Sequence, residues 1–219
     1  MHAIDPDFPP EWEDLAADFA PVGTFHRGPS LEVLPQIPPC DAYLIDGDHN
    51  YHTVSNELAA IASAVRGRPC VVLLHDVGWP YGRRDLYYAP ERIPPEARQP
   101  WARRGLMPGV DELVDDGLNA HLANALHEGG PRNGVLTAVE DFVQRRDGWT
   151  LDTVPGLHGL AYLLAPGCDE TVRRCVNERT TLSAAGRELI EVVESARVSE
   201  VAHVRKMLNQ EHARRQSLS

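Results

Sequence analysis

Lysine is almost missing from this chain. Lys206 is the only one among 21 basic residues, which face 32 acidic side chains for a net charge of −11. A protein that neutralises nucleic-acid phosphates carries a basic surplus, so nucleic acid is excluded as a partner. Long hydrophobic runs are also missing. The longest apolar stretches, around Val71–Leu74 and Gly159–Pro166, fall far below the ~18 residues that a membrane helix needs, so no membrane is expected. The N-terminal MHAIDPDFPP has neither the basic nor the apolar region of a signal peptide. Cys40, Cys70, Cys168 and Cys175 show no CxxC spacing. Buried free thiols in a reducing cytoplasm are favoured over disulfides or a zinc site. No internal repeat, low-complexity segment or GxGxxG phosphate-binding pattern occurs.

What is present is ordinary globular material: 219 residues, 42% hydrophobic and 24% charged, the size of one domain plus an appendage. Residues 169–219 hold 8 acidic and 9 basic side chains, net +1, which leaves −12 on residues 1–168. That split implies a body, residues 1–167, and a tail, residues 168–219. In the body, His2–Ile4, Val22–His26, Ala42–Ile45 and Cys70–Leu74 read as strands. The last two are unbroken apolar runs, expected to be buried. Val54, Leu58, Ile61 and Val65 fall at helical spacing, with Gly67 as a stop. Strand, helix, strand in this rhythm predicts an α/β fold. Trp149–Val154 and Gly159–Leu164, joined through Pro155-Gly156, predict an antiparallel hairpin. The tail is helical throughout, with Gly186 and Ser183 marking a joint between two helices. It either folds back on the body or forms a homo-oligomer interface.

Residues 77–133 are rich in proline and arginine and poorly periodic until Asp111–Leu126, which reads as one or two helices. A segment of this kind is a lid or a disordered loop. Trp79, Tyr81, Tyr87, Tyr88 and Trp101 alternate there with Arg83, Arg84, Arg92, Arg103 and Arg104. That composition suits a sugar, phosphate or other anionic ligand, and suits equally a loop anchored by its aromatics.

Two polar clusters carry the chemistry. Asp46-Gly47-Asp48-His49-Asn50 follows one apolar strand and His75-Asp76 follows the next. Ligands of open parallel sheets bind beyond the carboxyl ends of the strands, so the clusters are expected to share a crevice. Carboxylates gathered there repel one another, and a hard divalent cation such as Mg²⁺ relieves the repulsion. His49, three residues after Asp46, sits close enough to act as a general base. The bland alternative is a turn at Asp46-Gly47 with Asp48 as a helix cap.

The run DAYLIDGDHNYHTVSNEL, followed by CVVLLHDVGW, resembles the class I S-adenosylmethionine-dependent methyltransferases. Its resemblance is closest to the small metal-assisted O-methyltransferases that include macrocin O-methyltransferase-like and cephalosporin-hydroxylase-like proteins. The resemblance spans roughly residues 2–165 and is most specific between 41 and 79. It implies a Rossmann-like sheet with Asp46 and Asp76 as metal ligands, His75 as a further ligand and His49 as the base. Asp5, at the end of HAIDP, takes the place of the acidic residue that binds the cofactor ribose. The implied reaction is methyl transfer from S-adenosylmethionine to a hydroxyl of a small molecule or sugar. The family's first strand and glycine-rich loop precede the segment matched by HAIDP, so the resemblance also implies a sheet that is N-terminally incomplete, with a C-terminal helical extension. Two other functions stay open at this point: a cofactor-free methyltransferase-like binding or assembly module, and a metal-dependent phosphoester hydrolase.

Overall fold

The computed structural model describes residues 1–9 and 11–217, so the last two residues of the expected tail lie outside the described residues. Strand β1 (His2–Asp5) is followed by helix α1 (Trp12–Phe19), strand β2 (Thr24–Arg27), the single turn α2 (Ser30–Val33), strand β3 (Ala42–Ile45), helix α3 (Tyr51–Val65) and strand β4 (Val71–His75). Alternating strands and helices make the mixed α/β body that the periodicities predict. Helix α3 runs to Val65 and stops where Arg66 and Gly67 take left-handed backbone, at φ +48° and +81°.

The strands form separate sheets. β3 and β4 pair in parallel, with Ala42 opposite Val71 and Ile45 opposite Leu74. The hairpin of β10 (Thr150–Val154) and β11 (Leu160–Leu164) then adds antiparallel to β4, giving the order β10-β11-β4-β3. β1 and β2 pair in parallel as a two-stranded sheet of their own. Among the described residues, β3 has only β4 as a partner strand. The expectation that β3 is a buried strand is therefore corrected. As an edge strand it packs Tyr43 and Ile45 on the core but leaves Leu44 72% exposed. In β4, Val72 and Leu74 are fully buried.

The main core joins Val54, Leu58, Ile61 and Val65 of α3 to Val72 and Leu74 of β4, and to Val139 and Phe142 of helix α4 (Val135–Gln144). Side chains at helical spacing on one face thus bury against alternate residues of a strand.

Residues 77–133 are neither helical nor irregular throughout. After β5 (Leu86–Tyr87) come β6 (Trp101–Arg103), β7 (Gly105–Met107), β8 (Val110–Val114) and β9 (Ala123–Ala125). The helices expected over Asp111–Leu126 are replaced by β8, which folds back antiparallel on β7 with Met107 opposite Val110, and by β9, which pairs with the more distant β5 and β6. The segment builds two small cores of its own, one around Tyr81, Leu86, Leu106 and Leu113 and one around Tyr87, Ile93 and Ala123. The fully buried Asp85 ties it to the body. Its carboxylate accepts from Tyr51 N (2.7 Å), Gly134 N (2.7 Å) and the Tyr87 hydroxyl (2.7 Å). Gly134 sits at φ +90° against the backbone of Gly82 and Arg84, where any Cβ would collide.

The tail consists of α5 (Glu170–Thr180) and α6 (Ala184–Ser217), with the joint at Ser183, whose hydroxyl accepts from Gly186 N (3.0 Å). α6 is fastened to the β10–β11 turn: Arg187 donates to Thr153 O (2.9 Å), and Glu194 accepts from His158 N (2.8 Å). No helix is long and apolar enough to cross a membrane among the described residues. All four cysteines are free, but the expectation that they are buried holds only for Cys70 and Cys168: Cys40 is half-buried and Cys175, on α5, is exposed.

Candidate active site

Both predicted clusters lie at the carboxyl ends of adjacent parallel strands, β3 and β4. Helix α3 starts just after the first, capped by Asn50, whose side chain accepts from Thr53 N (2.8 Å). The cap is therefore Asn50 rather than Asp48, which instead accepts from the Thr53 hydroxyl (3.1 Å). This short turn leaves Asp46 and His49 facing the end of β4. There Asp76 is buried at φ +59°, a left-handed conformation uncommon outside glycine and characteristic of constrained functional positions.

His49 Nε2 lies 3.2 Å from Asp76 Oδ2 and 3.6 Å from Asp46 Oδ1. One donor atom each from Asp46, His49 and Asp76 fits within 4.8 Å of the other two. His75 joins the group through Nδ1, 3.1 Å from Asp76 and 3.3 Å from Asp46. Burial works against the charged form of His75, yet Asp76 and Asp46 outweigh it and raise its pKa. The structure thus brings Asp46, His49, His75 and Asp76 together. Asp5 stands apart: it is exposed at the end of β1 and accepts from Asp7 N (2.8 Å).

Two further features of the cluster suit a bound ligand or ion. Both ring nitrogens of His49 are buried and neither makes a well-aligned hydrogen bond: Nε2 has only the Asp76 carboxylate opposite it at 3.2 Å and Nδ1 has no partner, an arrangement that a ligand or ion would complete. Two carboxylates and an imidazole also make a donor set suited to a divalent cation. The residues fit a metal.

A cavity of about 250 Å³ opens over His49 and Asp76. Tyr81 stacks on the His49 ring at 5.7 Å between centroids, and Tyr88 meets it edge-on at 6.0 Å. Burial raises the pKa of both tyrosines, and the nearby carboxylates add to the rise at Tyr88, so the phenols stay neutral. The opposite wall is Arg197, Val198 and Val201 of α6. A second cavity of about 370 Å³, lined by Trp79, Pro108, Pro155 and Glu191, shares His158 and Val198 with the first. His158 links the walls. Its Nδ1 contacts Trp79 O (2.9 Å) and its Nε2 contacts Arg197 (3.2 Å), which assigns the proton to Nδ1. Glu194 grips the same Arg197 through two contacts of 2.6 and 2.7 Å, which hold its carboxyl down at about 2.

Sequence reasoning found the four clustered residues and flagged Tyr81 and Tyr88. It missed Asn119, His158, Arg197, Val198 and Val201, which reach the site from distant segments and carry no local motif. Most of the insertion's arginines prove to be anchors. Arg83 pairs with Glu140, Arg84 is buried donating to Ala125 O and Asp111 O, and Arg104 pairs with Asp115.

Residues 1–77 match a family model described as a methyltransferase domain. The match takes in β1 through β4 and both site clusters, and supports methyl transfer as the class of reaction. No curated protein and no solved structure matches the chain.

Proposed function

We propose that the protein is an S-adenosylmethionine-dependent O-methyltransferase that acts on a hydroxyl of a small molecule or sugar with the help of a divalent metal, which we take as Mg²⁺ held chiefly by the two carboxylates. The observation that carries this reading is the juxtaposition of Asp46, His49 and Asp76 at two strand ends, with His49 lining a cavity and its Nδ1 without a partner. The methyltransferase match over the same residues supports it. Asp46 and Asp76 would hold the cation and His75 would complete or brace the set, while Asp5 would receive the cofactor ribose. Between them, the bound cation supplies positive charge that acidifies a hydroxyl, and the bound cofactor supplies the methyl group.

The chain's own residues do the rest. His49 accepts the proton of the acceptor hydroxyl at a ring nitrogen. Tyr81 and Tyr88 flank the acceptor with neutral, planar faces, and Val198 and Val201 exclude water from the opposite side. The two cavities share His158 and Val198 in their walls, and we place the acceptor's hydroxyl at His49 and an apolar arm towards Trp79 and Pro155. The free cysteines agree with a cytoplasmic setting. The test is transfer of labelled methyl from S-adenosylmethionine to a panel of phenols and sugars, with and without a chelator. Transfer abolished by chelator supports the reading, and chelator-insensitive transfer contradicts the metal's part in it.

One observation favours a second reading, the cofactor-free binding or assembly module. β1–β2 and β3–β4 lie in separate sheets, so the strand that carries Asp5, the proposed ribose contact, is not joined to the strands that carry the other site residues. The intact cluster of four site residues favours the enzyme.

A further inference from the structure

Helix α6 has two faces. Val198 and Ala202 are buried against the body, and Arg197 and Glu194 on the same side hold His158. On the other side, Leu189, Val192, Val193, Val204, Met207 and Leu208 are 64, 61, 59, 45, 68 and 56% exposed. They fall on one side of the helix in two runs, 189–193 and 204–208, three helical turns apart, so they form one stripe with a polar break at Glu200 and His203 in its middle. Together they present roughly 600 Å² of apolar surface, at the top of the range for the largest patch on an ordinary monomer. A standard interface takes ~800 Å² per partner, a little over half of it apolar, so the stripe matches one half of such an interface in size.

The charges along the helix specify the occupant. Residues 184–200 carry four acidic and two basic side chains, net −2, and residues 201–217 carry four basic and one acidic, net +3. A second α6 laid antiparallel places each acidic half against a basic half, and it opposes the helix dipoles favourably. A parallel copy would set like charge beside like. An interface that pairs a surface with itself through a two-fold axis is the commonest route to a dimer. We propose that two copies of this chain associate through antiparallel α6 helices, with the stripe as the seam. Because the inner face of α6 forms a wall of both cavities, the seam also fixes that wall. The inference stands whether or not the chain transfers methyl groups.

Sedimentation equilibrium and light scattering on the full chain test it. The wild type is expected at twice 24.2 kDa, and Val193→Glu with Val204→Glu, both at exposed sites, at the monomer mass with an unchanged circular dichroism spectrum. Reversing one half (Glu188→Lys with Glu191→Lys, or Arg205→Glu with Lys206→Glu) is expected to weaken the dimer, and reversing both halves in one chain to restore it. A monomeric wild type overturns the proposal, as does a dimer indifferent to the Val193 and Val204 changes. Failure of the double reversal to restore association overturns the antiparallel arrangement.

Discussion

His49 Nε2 and Asp76 Oδ2 stand 3.2 Å apart, although one residue ends the turn after β3 and the other the strand that follows α3. Parallel pairing of β3 and β4 is what closes that distance, because it aligns the two carboxyl ends. The site therefore depends on the sheet before it depends on any loop.

In the proposed reaction His49 is the residue placed to take the acceptor's proton. His49→Ala should lower methyl transfer by about 10²–10⁴-fold, the span usual for loss of a general base. The thermal midpoint should hold or rise, because a buried imidazole without a well-aligned hydrogen bond is removed. Steady-state kinetics with a responsive acceptor, beside calorimetric melting, checks both. Turnover like the wild type's would exclude His49 as the base.

Glu57 gives a pH signature. Only 4% exposed on α3 and with Oε2 unpaired, its carboxyl is pushed up to about 7 by burial, against the contribution of Ser30 and with that of Asp48. The folded state thus holds a proton that the unfolded chain releases near the ordinary glutamate value. Stability is full below that value and falls as pH rises through it towards about 7, by at most about 3 kcal/mol at roughly 1.4 kcal/mol per unit. Glu57→Gln should flatten the decline between pH 5 and 8, as read by denaturant titration. An unchanged slope in the variant would show that other groups cause it.

Asp85 anchors the insertion to both α3 and the start of α4. Burial raises its pKa while Gly134, Tyr51 and Tyr87 oppose that rise by donating to it. Asp85→Ala strands three buried donors and should cost about 3 kcal/mol or more. Hydrogen exchange should quicken in β5 and β9 before it quickens in β4. Uniform loosening across both regions would show that the insertion and body unfold together.

Arg197 and His158 brace the α6 wall from either side of the cavity. Val198→Asp places a charge among buried side chains facing the acceptor and should raise the acceptor's KM by about tenfold or more. The binding constant for S-adenosylmethionine should hold. A change confined to cofactor binding would place the acceptor elsewhere.

The readable parts of the sequence were local. Ala42–Ile45 and the run to Leu74 announced their strands, and the polar residues after them announced the site, because each signal is contiguous and the strand ends align in a parallel pair. Helix α3 was readable from Val54, Leu58, Ile61 and Val65 alone. The exposure of Leu44 was not, since an edge strand and a central one can share a sequence. Nor were β8 and β9: β8 is a five-residue arm of a tight hairpin with β7, and the three residues of β9 are set by β5 and β6, farther back along the chain. The α6 wall escaped for the same reason: Arg197, Val198 and Val201 acquire meaning only once the β10–β11 turn sits against the helix.

The most direct test of the central claim is a calorimetric titration of the full chain with S-adenosylmethionine in the presence of Mg²⁺, repeated on Asp46→Asn with Asp76→Asn. Methyl transfer through this site predicts micromolar binding of the cofactor to the wild type, and heat on addition of Mg²⁺ that the double variant loses. No cofactor heat from a folded wild-type protein would contradict the enzyme and leave the binding module in its place.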